Sequence, residues 1–177
     1  MSLISRRSLL RGRIKDKLTI RPPWVVSEAL FIERCTQCAR CIKHCETQII
    51  IRGSGGFPEI DFQKGDGECT FCGACEESCP EQIFSRELLP WHYKANITES
   101  CLTYKNIECR CCQDSCAYSA IRFQLQPKKA AQPYIVTENC TGCGACLNSC
   151  PTSSIRFTEA LPEPINAEKS PVEPDEH

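Results

Sequence analysis

Cys69-Thr70-Phe71-Cys72-Gly73-Ala74-Cys75-Glu76-Glu77-Ser78-Cys79-Pro80 sets four thiols at intervals of x2, x2 and x3. The same rhythm returns as Cys35-x2-Cys38-x2-Cys41-x3-Cys45 and as Cys140-x2-Cys143-x2-Cys146-x3-Cys150-Pro151. Three thiolates so close on one tight loop can grip three iron corners of a single 4Fe-4S cube, while the fourth points away and reaches a neighbouring cube. Motifs of this kind must therefore work in pairs. A structural zinc site takes its four ligands from two separated pairs, which three successive cysteines at x2 intervals fit badly. Gly73 and Gly144 leave the loop backbone free to approach inorganic sulfur, where amide hydrogens stabilise cluster charge.

The remaining cysteines, Cys101, Cys109, Cys111, Cys112 and Cys116, form an irregular fourth group, third in chain order. With Cys101 as its first ligand the spacing is Cys101-x7-Cys109-x2-Cys112-x3-Cys116, a five-residue insertion between ligands one and two that can loop out freely. Cys111 is then the spare thiol. The competing register, with Cys111 as a ligand, breaks the x2-x3 rhythm but stays open. Between Cys45 and Cys69 lie 23 residues, and between Cys116 and Cys140 again 23, whereas Cys79 and Cys101 are separated by 21 of different character. The equal gaps pair the motifs two by two. Crossing the fourth ligand within each pair gives Cys35, Cys38, Cys41 and Cys79 for one cluster and Cys69, Cys72, Cys75 and Cys45 for a second. By analogy Cys140, Cys143, Cys146 and Cys116 hold a third, and Cys101, Cys109, Cys112 and Cys150 a fourth.

Each equal gap also reads as a hairpin. Ile49-Ile50-Ile51, the turn Gly53-Ser54-Gly55-Gly56, then Ile60 and Phe62 form the first; Ala120 to Phe123, a turn near Pro127-Lys128-Lys129, then Tyr134-Ile135-Val136 form the second. The expected fold is α+β: two tandem lobes, each holding two 4Fe-4S clusters, with short strands and helices around them. Residues 1–30 are expected as a basic arm, 31–88 as the first lobe, 89–157 as the second, and 158–177 as an acidic, proline-rich, disordered tail.

Cysteine supplies 17 of 177 residues and only 41% of the chain is hydrophobic even when cysteine is counted, so a conventional core would be thin. Clusters that tie distant segments together supply what the core lacks. Residues 1–23 hold seven Arg or Lys against Asp16, and residues 158–177 hold six acids against Lys169. Formal charge is −1; four cubes at −2 each would bring the loaded protein to about −9. Arg6-Arg7 suits a twin-arginine export signal, but Arg11, Arg13, Lys15, Asp16 and Lys17 interrupt the apolar stretch such a signal needs. No run approaches a membrane span. These features are read as a cytoplasmic protein with reduced thiols. The cations are confined to one arm, which argues against nucleic-acid binding. Every cube is fully ligated by cysteine, and neither a nucleotide-binding glycine motif nor a nucleophile with its base is present, so an enzyme is not expected. His44 is read as exposed surface, and His92, between Trp91 and Tyr93, as packing at the lobe junction.

The chain resembles the NapF family, ferredoxin-type accessory proteins of periplasmic nitrate reductase systems. The likeness runs from Ser5-Arg6-Arg7 to about Phe157. Besides the cysteine groups it rests on Arg21-Pro22-Pro23-Trp24, Gly53-Ser54-Gly55-Gly56-Phe57-Pro58, and Cys101-Leu102-x-Tyr104 leading to Glu108-Cys109-Arg110-x-Cys112-Gln113-Asp114-Ser115-Cys116. Cys111 departs from the family pattern, where arginine stands. The resemblance implies a cytoplasmic protein that contacts the precursor of the reductase catalytic subunit, NapA, before export and assists its maturation by supplying electrons or cluster. The rival expectation is a plain electron carrier between other redox proteins.

Overall fold

A computed structural model describes residues 19–159. The Arg6-Arg7 pair and most of the acidic tail lie outside the described residues. Helix α1 (Glu28–Arg34) opens on Ser27, whose hydroxyl accepts from the Leu30 N–H at 3.2 Å, with Glu28 in its first turn and Arg34 in its last. It buries Phe31, which packs at 6.2 Å from the Phe57 ring. The other helices are single turns: α2 (Arg40–His44), α3 (Ala74–Glu77), α4 (Cys111–Asp114) and α5 (Ala145–Ser149). Helices so short are unstable alone and depend on what their cysteines hold.

Both expected hairpins are present. β1 (Ile50–Arg52) pairs antiparallel with β2 (Pro58–Ile60), Ile50 opposite Ile60, around the glycine turn. β4 (Ile121–Gln126) pairs antiparallel with β5 (Lys129–Ile135), Ile121 opposite Ile135. A third pair joins distant segments: β3 (Tyr93–Ile97) lies antiparallel to β6 (Ile155–Glu159), with Tyr93 opposite Glu159. The expected tail boundary therefore moves. Thr158 and Glu159 are strand residues facing Lys94 and Tyr93, because their backbone completes this ladder.

The basic arm expected through residue 30 is, in its described part, packed structure. Ile20, Pro22 and Trp24 are buried, and Val25 bridges Phe84. The Trp24 N–H donates to the Pro90 carbonyl at 3.0 Å and the Trp91 indole N–H donates to the Arg21 carbonyl at 2.9 Å, which straps the arm to the inter-lobe joint. Trp91 does the packing there, while His92 stays exposed. His44 is exposed as expected and bonds through Nδ1 to the Arg40 carbonyl oxygen at 2.9 Å.

The two halves share a core. Ile20, Trp24, Ile49, Ile50, Ile60, Phe62 and Trp91 cluster with Tyr93, Leu147 and Phe157 from the second half. Phe62 meets Trp91 at 6.1 Å and Phe157 at 5.4 Å, both edge to face. The backbone at Gly144, with φ +95°, passes so close to the Phe62 ring that a Cβ would collide with it.

Candidate metal centres

Each regular cysteine loop is built from alternating left-handed residues. The residue before the second cysteine is left-handed in all three, at Gln37, Phe71 and Gly142, and so is the residue after it, at Ala39, Gly73 and Gly144. This alternation turns successive amide N–H groups toward one concave side, the arrangement that receives anionic groups. The irregular loop differs: Arg110 has φ −132°, and Glu108 is not left-handed.

Three small cavities are lined by cysteine quartets. Cys35, Cys38, Cys41 and Cys79 line one together with Phe31, Ile83 and Phe84. Cys45, Cys69, Cys72 and Cys75 line a second beside Trp24 and Phe71. Cys116, Cys140, Cys143 and Cys146 line a third beside Tyr118 and Phe157. The structure thus brings together, in each case, three thiols of one loop and the last thiol of the paired loop.

Neighbouring thiols raise one another both within these groups and between them. Burial, then the neighbouring Cys35, Cys79 and Cys38, pushes the Cys41 thiol up to about 11. Burial, followed by Cys45, Cys72 and Cys143, raises Cys69 to about 12. Cys75 reaches about 12 by burial with Cys69, Cys41 and Cys72 beside it, and Cys146 about 12 by burial with Cys143, Cys140, Cys116 and Cys112. The irregular motif obeys the same logic: burial, then Cys101, Cys109 and Cys150, brings Cys112 to about 11. Cys150 runs the other way, since backbone N–H groups of Ser154 and Thr152, with their hydroxyls, together outweigh its burial. Cys111 is exposed, its Sγ 3.8 Å from that of Cys109.

Backbone donors already aim at sulfur. The Phe71 N–H reaches Cys69 Sγ at 3.4 Å, Ala120 reaches Cys116 at 3.3 Å, Ala95 reaches Cys140 at 3.5 Å and Ser154 reaches Cys150 at 3.2 Å. Such N–H···S bonds favour thiolate over thiol.

Three observations test whether an iron-sulfur cube suits these residues. Among the described residues no three His, Cys, Asp or Glu side chains converge on a point where a single metal ion would sit. The buried Thr141 hydroxyl, on the wall of the third cavity, has no hydrogen-bond partner in the protein, and an inorganic sulfide or its bound thiolate would accept from it. All seventeen cysteines are free thiols, and crowded buried thiols lose their protons only to a strong cation. The residues fit the group.

Known proteins agree with this donor set. The family model described as a 4Fe-4S dicluster domain matches residues 34–84, and a second so described matches residues 106–154. The ferredoxin-type protein NapF of Escherichia coli strain K12 is 44% identical over 153 residues, covering 85% of this chain and 92% of that protein. The chain belongs to the NapF family. NapF of Haemophilus influenzae is likewise 44% identical, over 167 residues, covering 88% of this chain and 94% of its own length. A more distant likeness, 28% over 162 residues, joins it to the methylamine utilization ferredoxin-type protein MauM of Methylobacillus flagellatus, covering 81% of this chain and 69% of that protein. This NapF-family chain is an iron-sulfur protein of two tandem 4Fe-4S dicluster domains in an α+β fold.

Sequence reasoning missed the seam between the two domains of this NapF relative. The Cys69 N–H donates to the Cys143 carbonyl at 2.8 Å, directly joining the second and third loops, and Phe71 meets Tyr118 edge to face at 6.5 Å across it. Cys41 acts on Cys75, and Cys112 on Cys146. These neighbours link the first cavity to the second, the second to the third, and the third to Cys112 of the irregular loop. Only one signal was available, the glycines at 142 and 144, which permit close approach.

Proposed function

We propose that the chain carries four 4Fe-4S clusters, held by Cys35, Cys38, Cys41 and Cys79; by Cys45, Cys69, Cys72 and Cys75; by Cys116, Cys140, Cys143 and Cys146; and by Cys101, Cys109, Cys112 and Cys150. It acts in the cytoplasm as an accessory protein that binds the precursor of the periplasmic nitrate reductase catalytic subunit and assists its maturation before export. The observation that carries this reading is the 44% identity to NapF along 85% of the chain, cysteine loops included. The supporting physics lies in the loops. Their inward amides and the N–H···S bonds hold thiolate charge, and burial of Cys75, Cys112 and Cys146 limits water at part of each lobe's sulfur. Bound clusters supply one-electron transfer. No helix among the described residues is long and apolar enough to cross a membrane.

An anaerobic pull-down with the full chain tests the role: the reductase precursor co-purifies, and cells lacking this protein accumulate less active enzyme. Full reductase activity in its absence rejects maturation. A second reading, an electron relay, is favoured by the links between neighbouring cavities, the Cys69–Cys143 hydrogen bond between the halves among them. Stopped-flow oxidation of the dithionite-reduced protein separates the two. Transfer to redox acceptors faster than in buffer controls supports the relay, and transfer no faster removes it.

A further inference from the structure

Cys111 has no place in the ligand rhythm, yet its position is specific. In the regular loops the first helical residue after the left-handed turn is Arg40, Ala74 or Ala145; in the irregular loop it is Cys111. Because Arg110 takes φ −132° in place of the left-handed turn, the backbone carries Cys111 Sγ to 3.8 Å from Cys109 Sγ. The Arg110 side chain does not intervene. Its guanidinium lies 5.0 Å from the Phe123 ring centroid and donates to Gln113 Oε1 at 3.3 Å.

A tetrahedral metal with thiolate bonds of ~2.3 Å holds two such sulfurs about 3.8 Å apart. One iron can therefore be reached by either thiol, but each iron of a cube has a single position outside its three sulfides, so the two must alternate. Cys109 follows the inserted segment, where Tyr104, Lys105, Asn106, Ile107 and Glu108 are all exposed, whereas Cys112 is buried with Cys101, Cys109 and Cys150 as its neighbours.

We propose that Cys109 and Cys111 are interchangeable ligands to one iron corner of the fourth cluster, so that this corner changes thiol while the cube stays in place. The exchange is a substitution without electron transfer: the Cys111 thiol gives up its proton as its bond to iron forms, and the Cys109 thiolate takes one up as it leaves. The inference rests on the proposed fourth quartet and gives that site, alone among the four, a seventeenth thiol beside one of its ligands.

Iron and sulfide analysis of anaerobically purified full-length variants tests it, with far-UV circular dichroism to verify folding. Cys109→Ala and Cys111→Ala each retain the wild-type iron content, about sixteen per chain, while the double variant loses about four. The low-temperature EPR spectra of the two single variants differ in one cluster signal, since each fixes a different thiol. A loss of about four irons in either single variant, or full retention in the double, overturns the exchange. Cys112→Ala tells the two readings apart: it loses about four irons if the fourth quartet is right, and retention there overturns the quartet itself.

Discussion

Thr141 is the buried hydroxyl among the described residues that finds no partner within the protein. It sits between Cys140 and Gly142 in the loop whose cavity also holds Cys143. A hydroxyl donating to cluster sulfur stabilises the added electron, so its loss lowers the potential. Thr141→Val is expected to lower the third cluster's potential by about 40 mV, the equivalent of the ~1 kcal/mol of one hydrogen bond. An EPR-monitored redox titration reads it: one signal shifts and the others stay. The crossing of ligands is tested at the same scale by double substitution. If Cys79 belongs with Cys35, then Cys35→Ala and Cys79→Ala each remove about four irons and together remove no more, whereas Cys79→Ala with Cys69→Ala removes about eight. The reverse pattern, about eight irons lost from the first double and about four from the second, would leave the ligands uncrossed.

Local elements were legible where chemistry marks both ends. Cysteine spacing located the four loops, and Gly53-Ser54-Gly55-Gly56 between runs of isoleucine located the first hairpin, because turn residues and apolar runs are nearest neighbours in sequence. The β3–β6 pair was not legible, since Tyr93 to Ile97 meets partners some sixty residues further on and neither strand is bounded by a turn that names the other. The described end of the arm, residues 19–30, departs from expectation for a similar reason: cations nearby suggest a solvated segment, and Pro22-Pro23 carries no periodicity from which the burial of Trp24 follows. The seam at Gly144 converts this into a test. Alanine there meets two costs, a left-handed backbone at φ +95° and overlap with the Phe62 ring. Gly144→Ala is expected to lose about 2–4 kcal/mol in anaerobic denaturant unfolding of the loaded protein. The same change at the exposed Gly55, whose φ is also positive but whose Cβ would meet the Phe57 ring only at 3.4 Å, isolates the backbone share and costs less.

At the scale of the whole molecule, the clusters and the apolar core are one structure rather than two. Cys75 is itself a member of the main core cluster, and Cys112 and Cys146 belong to the second. Trp24 lines the second cavity, and Trp91 lies in T-shaped or tilted contact with Phe62 and Phe71 around it. With so few large buried side chains, the chain entropy of folding exceeds what apolar burial alone offsets, and metal–thiolate bonds make up the difference. Stripping iron should therefore open the core as well as the sites. Trp24 and Trp91 are buried, the first on the wall of the second cavity and the second against Phe71 of that wall, so with clusters bound their fluorescence is expected to be weak and blue-shifted. Anaerobic chelation after mild oxidation should raise the intensity and shift it to the red together, with far-UV circular dichroism lost over the same chelator range. Intensity that recovers while the emission stays blue would mean the aromatic seam stands without its clusters. In that event Phe62, Trp91 and Phe157 would hold the two halves together, and the cysteine loops would be cargo on a fold that needs no metal.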